Sequence, residues 1–159
     1  DVHIEQLFTF GDTRRGPHLR VVTTAYLAVA RLSDVRAGVL GEDSSYSLFP
    51  IEDLPRLAFD HNKIFQTALD RLRHKANYTT ICSRFLERHF SLSDLQEMYE
   101  VILGQRLDKR NFRKKMLQLG ILKALQETRQ EPAGRPARLY AFSRPGVVTL
   151  QERGILVPF

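Results

Sequence analysis

Residues Leu107–Leu122 read LDKRNFRKKMLQLGIL. Asp108 stands where a helix N-cap belongs and Gly120 where a helix stops, so the stretch predicts a helix from Lys109 to about Leu119. With Phe112 at the centre of the buried face, Met116 and Leu119 fall within about 40° of it at 100° per residue. Arg113, Arg110 and Lys114 fall at about 100°, 160° and 200° on the same wheel, which turns all three outward. Asn111 lies to one side at about 260°, and Lys109 and Lys115 flank the apolar stripe. Between Arg106 and Lys115 there are six basic residues and one acid. Such a run is, by itself, an ordinary solvated face; its neighbours decide what it means. Leu117, at about 140°, is also outward, and a thymine methyl or a neighbouring element would equally account for it.

Upstream, Ser91 can cap a helix from Leu92 to Leu103, with Asp94 in the capping-box position three residues on. Leu95, Met98, Tyr99 and Ile102 form its apolar stripe, and Gly104 ends it. The turn Gly104–Leu107 is short enough to make the pair a helix–turn–helix. Cys82–Leu86 suggests a short helix before it. Downstream, Ile121–Gln126 is a predicted strand, Glu127–Pro136 a polar connection and Ala137–Phe142 a second alternating strand, together a long-tipped β-hairpin. Helix, turn, basic helix and basic hairpin in that order predict a winged helix–turn–helix over about Phe85–Phe142, whose second helix enters the major groove of double-stranded operator DNA.

Roles follow from side-chain chemistry. Arg110 and Arg113 have the fork that matches guanine O6 and N7, and Asn111 can pair with adenine. Lys109, Lys114 and Lys115 suit phosphate, and Arg129, Arg135 and Arg138 of the hairpin suit backbone phosphate or a minor groove. One module of this size buries too little surface for high specificity, so a homodimer on a palindromic site is expected. The helix Asp60–Lys75 and the tail Pro145–Phe159 are the apolar candidates for its contacts.

The first half differs in charge. Residues 1–82 hold ten acidic and ten basic side chains, whereas 83–159 hold fourteen basic and eight acidic, so the whole net charge of +6 lies in the second half. Ile4–Phe10 and Val21–Ala30 predict strands, with a turn over Gly11–Pro17. A second turn over Gly38–Ser45 leads to a short edge strand, Ser47–Pro50, and Ile51–Leu57 predicts a single helical turn. From Asp60, Ile64, Ala68 and Leu72 recur at helical spacing with Phe65 and Leu69 beside them. Three short strands under one helix leave a sheet face unprotected. With Asp1 followed almost at once by a strand, the expectation is a piece of a larger protein. The single cysteine, Cys82, excludes an internal disulfide and fits the reducing conditions of the cytoplasm. The five histidines lack metal-ligand spacing, and no stretch is apolar enough to span a bilayer, so no membrane partner is expected.

Six segments extend the reading to a family. IEQLFTFGD at Ile4–Asp12, VVTTAYLAV at Val21–Val29, FPIEDLPRLAFDH at Phe49–His61, ALDRLRHKANY at Ala68–Tyr78, Leu107–Leu122 and GRPARLYAF at Gly134–Phe142 together resemble the Nudix-related transcriptional regulators. The resemblance implies an α+β chain: a partial Nudix-like α/β domain over 1–80, its C-terminal portion, followed by a winged helix–turn–helix domain over 81–159. It further implies a repressor of NAD biosynthesis or salvage genes that answers to ADP-ribose or a related nucleotide, with no cofactor. Relatives act on sugar genes instead, so a sugar-responsive regulator is the alternative within the family. A Nudix hydrolase with an accessory winged helix is the enzymatic alternative, and a winged helix used for protein contacts is another. Hydrolysis needs a Glu-rich helix holding magnesium, and no Arg-Glu-x-x-Glu-Glu run occurs in the 159 residues, so no catalytic residue is assigned. For the effector, Arg14, Arg15 and Arg20 are the candidates, with Phe10 or Tyr26 packing near its ring. The family's Arg-Asp pair after the GD turn is here Arg14-Arg15, and a plain charged loop is the competing reading.

Overall fold

The computed structural model describes residues 2–15, 19–38, 46–130, 134 and 136–150. They divide into two compact units, with the division inside one helix between Arg71 and Leu72.

In the first unit, β1 (His3–Phe10) and β2 (Thr23–Val29) pair antiparallel, with the register slipping by one residue between Gln6 and Phe8. The slip leaves Leu7 as the extra residue and lets Leu7 and Phe10, three apart, both be buried where strict alternation would bury only one. A short helix α1 (Leu32–Gly38) follows, which the run of Leu, Ser, Asp and Val did not announce. The proposed edge strand Ser47–Pro50 is not formed. Tyr46–Pro50 is exposed throughout, so it has no alternating buried face for a sheet to hold, and Pro50 cannot donate to a ladder. The helical turn beyond it is a single 3-10 turn, Ile51–Asp53, after which Leu54 becomes extended ahead of Pro55. Most of the predicted turn Gly38–Ser45 lies outside the described residues.

Helix α2 (His61–Tyr78) runs three residues beyond the expected Lys75, with Leu69, Leu72 and Ala76 buried along it. Arg71 donates to the Leu7 carbonyl at 3.3 Å, at the slipped position of β1, and lies 3.6 Å from Glu5. The carbonyl that the irregular pairing exposes is thus satisfied by a helix side chain.

The second unit begins with the end of α2. In place of the expected short α-helix at Cys82–Leu86 there is a 3-10 turn, Ile81–Arg84. Strand β3 (Phe90–Ser91) leads into α3 (Leu92–Leu103), whose capping box is complete: the Asp94 N–H donates to Ser91 Oγ and the Ser91 N–H to Asp94 Oδ2. Such a cap stabilises a helix by about 1 kcal/mol. Gly104 ends α3 at φ 70°, in the left-handed region that favours glycine, with its N–H on the Glu100 carbonyl. Helix α4 (Lys109–Gln118) is capped by Asp108, which accepts from the Asn111 N–H. The three-stranded sheet has the order β3-β5-β4, β4 (Leu122–Arg129) and β5 (Ala137–Phe142) being the antiparallel hairpin. β4 extends three residues past the predicted Gln126. β3 is too short to leave a pattern in the sequence.

The core of this unit is Leu95, Tyr99, Ile102, Phe112, Met116 and Leu119 with Ile81, Cys82 and Phe90. Tyr99 and Phe112 meet edge-on with ring centroids 5.6 Å apart, which joins the two helices. The Tyr99 hydroxyl and the Cys82 thiol are hydrogen-bonded to each other, and burial pushes the thiol pKa up to about 12. The thiolate is therefore absent at ordinary pH while the unit is folded. A disulfide exchange reagent at pH 8 should leave Cys82 unmodified in the native chain and modify it fully in urea. Fast labelling without denaturant would show that this core opens.

Candidate nucleic-acid interface

Helix α4 is held to α3 by its Phe112–Met116–Leu119 side, and that contact fixes what the opposite side presents. Lys109, Arg110, Asn111 and Lys114 are exposed, while Arg113 and Lys115 are half-buried. The exposed cations therefore form a row along the first two turns of the helix. Leu117 stands with them, 50% exposed. Arg113, at the edge of the row, donates from Nη2 to Ser93 Oγ at 3.2 Å, in the first turn of α3.

The turn between the helices is braced from within. Glu100 accepts from the Leu107 N–H at 2.9 Å, from Gln96 at 3.0 Å and from Arg106 at 3.1 Å. These bonds, led by the Leu107 N–H, hold its carboxyl below the usual glutamate range. Gln96 also donates to the Leu107 carbonyl, and Arg73 of α2 to the Ile102 carbonyl at the end of α3. The acid and amide of Gln-x-x-x-Glu were legible as helix residues, but their second partners across the turn were not.

The hairpin cations are placed differently from one another. Arg129 belongs to β4, and its Nη2 lies 2.7 Å from both oxygens of Asp94. Burial pushes the Asp94 carboxyl up, but the bonds from Arg129 and the Ser91 N–H outweigh this and leave it below the usual aspartate range. Arg138 of β5 is exposed and donates from Nε to the Leu125 carbonyl at 3.1 Å. Arg135 lies outside the described residues. His89 and Glu127, neither singled out from the sequence, pair at 3.0 Å beside the hairpin.

In the first unit, the three candidate effector arginines have different surroundings. Arg14 is exposed and pairs with Asp12, and Arg20 is exposed. Arg15 is turned inward, with a side chain only 7% exposed. It donates to both oxygens of Asp60 at 2.6 and 3.0 Å and to the Phe10 carbonyl at 2.7 Å, and its guanidinium lies 5.6 Å from the Phe10 ring. Asp60 thus begins α2 with its carbonyl, while its carboxylate is held by Arg15. Phe10 is buried and Tyr26 exposed. Among the described residues, no group of three or more His, Cys, Asp or Glu side chains could hold a metal ion, and no helix is long and apolar enough to cross a membrane.

Residues 83–142 match the family model of the NrtR DNA-binding winged helix domain. The chain is 34% identical over 144 residues to the ADPR-responsive transcriptional repressor NtrR of Acinetobacter baylyi, a match covering 89% of this chain and 56% of that protein. Its structure is similar to the Shewanella oneidensis NrtR complexed with a 27mer DNA, with TM-score 0.77 and 32% identity over 89% of this chain and 64% of that one. The Shewanella NrtR structure described without DNA gives TM-score 0.75 and 31% identity over the same shares. A MutT/nudix family protein of Enterococcus faecalis shares the fold at TM-score 0.58 and 23% identity. The chain therefore spans just over half the length of the repressor it matches.

Fold and comparisons together define an α+β protein in which a winged helix follows a Nudix-like region. Residues 83–142 thus match the NrtR winged-helix model, and 89% of the chain is similar to NrtR proteins.

The Arg15–Asp60 pair has a pH signature. Hydrogen bonding to Arg15 holds the Asp60 carboxyl below the usual aspartate range. A carboxyl lowered on folding contributes stability that is full above its unfolded value, about 3.9, and is lost as pH falls through the folded value. The melting temperature of Asp60→Asn should therefore fall less than that of the native chain on acidification from about pH 6 to pH 3. Parallel falls would remove the pair from the stability of this unit.

Proposed function

We propose that this chain acts as an ADP-ribose-responsive transcriptional repressor of NAD biosynthesis or salvage genes. In this reading residues 1–80 belong to a Nudix-like effector-sensing domain and 81–159 form the winged helix that binds operator DNA. The observation that carries it is the exposed row on α4: Lys109, Arg110, Asn111 and Lys114 are exposed on the helix that follows the braced turn. The similarity to an ADPR-responsive repressor and to an NrtR complexed with DNA supports the same reading from outside the geometry.

Arg110 is the base-reading residue in this proposal, with Asn111 beside it. Lys109, Lys114 and Lys115 neutralise phosphate, and Arg138 with Arg135 serves the hairpin side. The protein works in the cytoplasm as a homodimer, which sets two half-sites about one helical turn apart. For the effector, the exposed arginines Arg14 and Arg20 are the candidates for a phosphate-bearing ligand, because Arg15 is turned inward onto Asp60.

Two outcomes follow. On a duplex selected from a random pool by the native chain, Arg110→Ala should cost about 1–3 kcal/mol of specific binding. Lys114→Ala should weaken binding to all sequences and lower the salt slope by about 0.9. Titration in a gel-shift or anisotropy assay reads both, and full specific affinity in Arg110→Ala would remove α4 as the reader.

Saturating ADP-ribose should change the affinity of the native chain for that duplex, and duplex should change affinity for ADP-ribose by the same factor. Arg14→Ala with Arg20→Ala should abolish the response while leaving DNA binding without nucleotide unchanged. Calorimetry showing equal ADP-ribose binding by native and doubly substituted chains would exclude these two residues.

A further inference from the structure

The hairpin ladder is broken in its middle. Ala124 pairs with Tyr140 and Thr128 with Arg138, so β4 takes four steps where β5 takes two. Leu125, Gln126 and Glu127 have no register partner across the hairpin. A break of this kind bends and twists the strand that carries it, and the ladder alone then sets the direction of the outer part poorly. That outer part, Thr128–Arg129 against Ala137–Arg138, is the end of the hairpin that carries Arg129 and Arg138.

Side chains take over where the ladder stops. Arg138 fills one gap by donating to the Leu125 carbonyl, and His89 pairs with Glu127. Arg129 on Asp94 ties the outer hairpin to the first turn of α3. Asp94 is at the same time the reciprocal member of the α3 capping box, so its position is fixed from the other side. One residue earlier, Ser93 accepts from Arg113 of α4. The first turn of α3 thus holds one arginine from the reading helix and one from the hairpin.

We propose that the Asp94–Arg129 pair sets the direction of the wing relative to the helix–turn–helix, and that Arg129 is a positioning residue for DNA binding. This assignment differs from a phosphate contact by Arg129. It rests on the proposed DNA binding of the module. A phosphate contact would have to share a guanidinium whose Nη2 is already held by both oxygens of a carboxylate that a helix cap fixes in place.

The two roles predict opposite results for one substitution. Asp94→Asn keeps an oxygen for the Ser91 N–H but weakens the hold on Arg129. If Arg129 positions the wing, binding to the selected duplex weakens by roughly fivefold to tenfold, as expected for residues of one network. If Arg129 contacts phosphate, Asp94→Asn releases it and removes a nearby negative charge, and binding tightens or is unchanged. Arg129→Gln should weaken binding by the same factor with the salt slope preserved, and the double variant should be no weaker than the poorer single one. A slope lowered by about 0.9 in Arg129→Gln is the signature of a lost phosphate contact and would overturn the proposal. So would native-like affinity in either single variant.

Urea unfolding of each variant identifies any that fail to fold. If Asp94→Asn does so, the salt slope of Arg129→Gln decides alone. If the native chain selects no duplex, the DNA-binding reading fails. A double-mutant cycle on stability then still measures whether the two residues are coupled.

Discussion

The edge-on contact of Tyr99 with Phe112 fixes the rotation of α4 about its own axis. Both rings are buried, and Met116 and Leu119 continue the same side of the helix into the core. A rotation of α4 by one residue would carry a charged side chain into that core and expose Phe112, a cost of several kcal/mol in lost burial and desolvated charge. The exposure of Lys109, Arg110 and Lys114 is therefore a consequence of apolar packing. A surface that reads as electrostatics is set by two aromatic rings beneath it.

Much of the remaining positive charge works within the protein. Arg15 closes the start of α2 onto the end of β1, Arg71 satisfies the carbonyl left by the β1 slip, and Arg73 does the same for the end of α3. Arg129 holds the hairpin. Each guanidinium reaches a backbone or carboxylate oxygen that regular pairing leaves free, which suits a planar donor with five N–H groups. Net charge thus overstates the cations available to a polyanion, and their distribution over particular oxygens is what separates the two uses.

The elements written in local chemistry were legible in the sequence. Ser91 with Asp94, Gly104, Asp108 and the spacing of Phe112, Met116 and Leu119 place α3 and α4 within a residue. The first strands followed from their β-branched and aromatic runs. What escaped were features whose cause lies far along the chain. The Arg15–Asp60 and Asp94–Arg129 pairs join residues 45 and 35 positions apart, and no spacing rule connects them. The Ser47–Pro50 strand failed for the related reason that β propensity without a partner gives no sheet. On α4, the outward angles of Arg110 and Lys114 agree with their exposure. Arg113, at the edge of the wheel, was diverted by Ser93.

The bracing of the Gly104–Leu107 turn has a thermodynamic consequence. Glu100 and Gln96 fasten the approach to α4 before any ligand arrives, so the donors along its first turns are already arranged. Ordering a flexible reading element at the moment of binding would subtract from affinity. Under the proposed DNA binding, that entropy is lost when the chain folds, and association begins from a preorganised surface.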